Sequence, residues 1–87
     1  MASSIAQIKQ MVNQIGQQAS NTAAQLSQLA LKLQENAAQV NSAISGTAAG
    51  EDKTIVASFA QSSKAVQDAA TSLLAASQAA KDWAQKA

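Results

Sequence analysis

Ser45-Gly46-Thr47-Ala48-Ala49-Gly50-Glu51-Asp52-Lys53 is the stretch whose reading decides the fold. It holds two of the three glycines in the chain and the only adjacent pair of acids. Long segments of Ala, Gln, Ser, Leu and Ile lie on either side, and the chain has no proline. Glycine ends helices well because it tolerates left-handed backbone angles. Acids suit the first turn of a helix, where free N–H groups favour negative charge. Gly46 therefore reads as the end of one helix, Glu51 as the start of another, and Gly46 and Gly50 as the turn residues. The expected fold is all-α, an antiparallel two-helix hairpin in one domain over 1–87. Helix one is expected over 4–44, the turn over 45–50 and helix two over 51–86, with two hairpins pairing into a four-helix bundle.

Working back from the turn, an apolar stripe runs Ile5, Ile8, Val12, Ile15, Ala19, Thr22, Leu26, Leu29, Leu33. Its steps alternate three and four, the spacing of a heptad seam. It continues at Ala37, Val40 and Ile44 through two steps of four, a stutter that relaxes left-handed supercoiling. Ser3 or Ser4 can cap the start. A helix of roughly 40 residues makes a rod about 60 Å long. Gly16 interrupts the pattern and reads as a close approach of another helix or a tolerated defect, with a hinge as the alternative.

Working forward from the turn, the stripe of helix two is Ile55, Phe59, Ser62, Val66, Ala69, Leu73, Ala76, Ala80, Trp83. Folding back places Ile55 near Val40, Leu29 near Val66, Leu26 near Ala69 and Trp83 near Val12 or Ile15. The expected seam is thus Ile8, Val12, Ile15, Leu26, Leu29, Leu33 and Val40 against Ile55, Phe59, Val66 and Leu73. On that basis Leu29→Asp is expected to unfold the hairpin. Met11, Leu31, Val56 and Leu74 fall off these stripes and are the candidates for a second, partner-facing surface.

Composition limits the chemistry. Hydrophobic residues make up 47% of the chain, but they are largely alanine, with one Phe, one Trp and no Tyr. Small domains of this kind often recover missing burial by oligomerising. Cysteine and histidine are absent, which removes disulfides, thiolate metal sites and the commonest metal ligand and general base. No nucleophile–base pair, phosphate loop or carboxylate cluster is evident, so no enzyme activity, cofactor or metal is expected. A net charge of +1 is too small for a nucleic-acid surface. No segment approaches the ~20 apolar residues of a membrane span, and no signal-peptide core is evident, so neither membrane insertion nor a cleaved signal is expected.

A short chain with two long helices and a glycine-containing central turn resembles the small WXG-type (ESAT-6-like) proteins of type VII (ESX) secretion systems. It also resembles the helical partners of larger secreted toxins. The family turn carries Trp-x-Gly. Here Gly50 keeps the glycine, while Ala48 stands where the tryptophan would be. Phe59 lies where the family often has an aromatic. The family's export signal is an aromatic followed by an acid four residues later. Trp83 has Ala87 at that distance, so only the terminal carboxylate could replace the acid.

The resemblance implies a secreted or escorting protein, cytoplasmic before export and then secreted or at the bacterial cell surface. Its partners would be itself, a related hairpin, a larger toxin or a secretion component, with Trp83 in secretion or partner recognition. The residues leave Trp83 open as a core residue closing the end of the hairpin. Two rivals stand beside this expectation. One is a structural coiled-coil adaptor or assembly subunit unrelated to secretion. The other is a filament subunit of the needle type, whose turn usually contains the proline this chain lacks.

Overall fold

The structure, a computed structural model, describes residues 4–44 and 51–86. Gly46, Gly50 and the Ala48 position lie outside the described residues, as do Ser3 and Ala87. Two helices make up the fold: α1, Ile5–Ile44, of 40 residues, and α2, Glu51–Lys86, of 36 residues. They pack antiparallel along their length as a hairpin about 66 Å long, 22 Å wide and 14 Å thick.

The start of α1 is fixed by a reciprocal cap. The Ser4 amide donates to Gln7 Oε1 at 3.0 Å, and the Gln7 amide donates to Ser4 Oγ at 3.2 Å. Two N–H groups that no helical carbonyl could reach are satisfied by this Ser-x-x-Gln pair.

The helices meet on small residues. The buried positions of α1 are Gly16, Ala23, Ala30 and Ala37, spaced by seven. Those of α2 are Ser63, Ala70 and Ser77, also spaced by seven. Ala23 and Ala70 are completely buried, and no large side chain is. Seven-residue spacing keeps one face of a slightly supercoiled helix against its partner. With only Gly, Ala and Ser at its buried positions, the backbones approach closely. A Cβ on Gly16 would lie 3.2 Å from the Ser77 carbonyl oxygen and 3.2 Å from Lys81 Cγ. α1 runs unbroken through Gly16, whose role is this close approach rather than a hinge.

Among the described residues, two serine hydroxyls bond across the seam. Ser77 Oγ donates to the Gly16 carbonyl at 2.6 Å, and Ser63 Oγ donates to the Ala30 carbonyl at 2.7 Å. These fix an antiparallel register that agrees with the expected one to within a helical turn. In this alignment each of the two buried serine hydroxyls has an acceptor on the other helix, so neither is left unpaired in the seam. Each bond contributes about 0.5–1.5 kcal/mol. The double change Ser63→Ala and Ser77→Ala is therefore expected to lower the thermal midpoint while leaving helix content unchanged, as read by circular dichroism. An unaltered midpoint would show that the bonds do not contribute.

The expected hairpin is found, but its seam differs from the expected one. Val12, Leu26, Leu33, Val40, Phe59, Val66 and Leu73 are half-buried at the edge of the contact rather than at its centre. Ile8, Ile15, Leu29 and Ile55 are exposed, at 38%, 57%, 47% and 43%. The physical reason is that small side chains let the helix axes come together. A stripe of Leu and Ile at the centre would hold them further apart, toward the upper part of the ~8–10 Å range.

Candidate interaction face

The side chains displaced from the seam are not scattered. Each residue one position before a buried seam residue lies about 100° round its helix, and each residue three positions after it lies about 60° round in the same direction. Reversing one helix keeps these positions on one side of an antiparallel pair. Both sets, from both helices, therefore form a single face of the hairpin. On α1 it carries Ile5, Ile8, Val12, Ile15, Ala19, Thr22, Leu26, Leu29, Leu33, Asn36 and Val40. On α2 it carries Ile55, Phe59, Ser62, Val66, Ala69, Leu73, Ala76, Ala80 and Trp83.

No charged residue occupies these positions. Lys32, Glu35, Lys53, Lys64, Asp68, Lys81, Asp82 and Lys86 all lie elsewhere on the two helices. The few hydroxyls on the face are already satisfied. Thr22 Oγ1 donates to the Gln18 carbonyl at 3.0 Å, and Ser62 Oγ donates to the Ser58 carbonyl at 2.9 Å. Such bonds to the preceding turn let a hydroxyl leave water without losing its partner. Thr22 and Ser62 can therefore be covered without losing a hydrogen bond.

Trp83 stands on this face near its open end, 43% exposed. It is not a closed core residue. It belongs to the same end of the face as Ile8, since Ala84 and Lys9, the residues that follow them, are counterparts one repeat beyond the Ser77–Gly16 pair.

The residues expected to form a second surface do not share one. Val56 is half-buried in line with Ser63, so it belongs to the seam. Leu31 and Leu74, exposed at 61% and 49%, lie on the opposite side from the apolar face and at different heights. Met11, 56% exposed, lines a shallow depression of about 390 Å³ with Gln7, Gln10 and Gln14 on α1 alone. That depression contains amides and a thioether, with no ionisable group. The continuous apolar face of the hairpin is instead made by the residues expected to be the seam. A sequence signal for this was present in the seven-residue spacing of Gly16, Ala23, Ala30 and Ala37 and of Ser63, Ala70 and Ser77.

Among the described residues no helix is long and apolar enough to cross a membrane. Comparison with protein-family models, with curated proteins and with solved structures finds no match to the chain.

Proposed function

We propose that the chain is a helix-binding module that lays its apolar face on another helical hairpin to form a four-helix bundle. In this role it serves as a small type VII secretion-associated protein, exported itself or escorting a larger secreted substrate. The observation that carries the binding role is the apolar face along the hairpin, uncharged at the positions named above, on which Ile5, Ile8, Ile15, Leu29, Ile55 and Trp83 are exposed. Monomeric proteins rarely expose apolar patches beyond a few hundred square ångströms, and larger ones mark interaction sites. The secretion role rests on the resemblance of the hairpin, its central turn and its C-terminal tryptophan to the WXG-type proteins.

Trp83 is the aromatic anchor of this proposal, since large half-exposed aromatics dominate binding when a partner covers them. Trp83→Ala is expected to weaken pairing or export by at least about tenfold, equal to ~1.4 kcal/mol, with helix content unchanged. A folded variant that pairs and is exported like the parent would remove Trp83 from recognition. For the wider role, export is compared between strains with and without an intact type VII apparatus. Export that depends on the apparatus supports the proposal. Retention of the protein in both strains would favour the structural adaptor.

A further inference from the structure

We draw no further inference here: the strongest candidate, the apolar face along one side of the hairpin on which Ile15, Leu29 and Trp83 are exposed, belongs to the binding role already proposed, and nothing in the structure shows what covers it.

Discussion

Ala23→Asp is expected to abolish the hairpin. Ala23 is completely buried between the helices, on a face where the approach is close enough for serine hydroxyls to reach carbonyls of the other helix. No cation faces it from the seam, whose neighbouring positions are Gly16, Ala30, Ser63, Ala70 and Ser77. A carboxylate there must either force the helices apart or lose its hydration, and an unpaired buried charge costs several kcal/mol even after relaxation. That is comparable with the whole stability of a small domain, roughly 0.05–0.15 kcal/mol per residue. Circular dichroism should show loss of the cooperative thermal transition. A variant that melts like the parent would mean that the helices do not meet on the small-residue stripe.

The same substitution six residues further on should behave differently. Leu29→Asp places the carboxylate at a position 47% exposed, on the apolar face and outside the seam. In the single hairpin the charge stays in water, so the helical signal is expected to survive. This reverses the expectation from sequence that Leu29→Asp would unfold the chain. Pairing, by contrast, would bury one carboxylate from each copy, and the association is expected to weaken by at least about 100-fold, or ~2.7 kcal/mol. The parent's thermal midpoint should rise with protein concentration, as it does when only the folded state associates. That of Leu29→Asp should not. A concentration-dependent midpoint in Leu29→Asp would place the interface elsewhere.

The contrast between Ala23 and Leu29 also shows what was legible in the sequence. The two helices were, because Gly16 is the only residue between Ser4 and Ile44 or after Glu51 that strongly opposes a helix, and Gly46 and Gly50 fall between the two segments. The period of the apolar stripes was also legible. Which stripe faces the partner helix was not. Hydrophobic periodicity gives most weight to large side chains, and Ile8, Ile15 and Leu29 outrank Ala23 and Ala30 on any transfer scale. Helix approach is limited by volume as well as driven by burial, so Gly16, Ala23, Ala30 and Ala37 take the centre.

The serines added to the difficulty. Ser63 and Ser77 read as solvated positions until their hydroxyls are seen to donate across the seam. Once the small stripe is inside, the large stripe must be outside. The residues taken for the core of a hairpin then form one apolar face beside the contact. Trp83 changes role for the same reason, from a residue closing the hairpin to one displayed on that face.

The separation of the two stripes gives this fold a division of labour. The small stripe and its two hydroxyl bonds set which residues stand level, and so determine where the large side chains are presented. The large stripe flanks that contact, half-buried at Val12, Leu26, Leu33, Val40, Phe59, Val66 and Leu73 and exposed at Ile8, Ile15, Leu29 and Ile55, and under the proposed function it is the surface a partner covers. The solution mass of the purified chain over a range of concentrations tests this most directly, by light scattering with circular dichroism on the same samples. A helical species at twice the 8.8 kDa chain mass, dissociating on dilution, is the predicted result. A fully helical species that remains at 8.8 kDa at every concentration would contradict it, because the apolar face would then stand in water with no copy of itself to cover it.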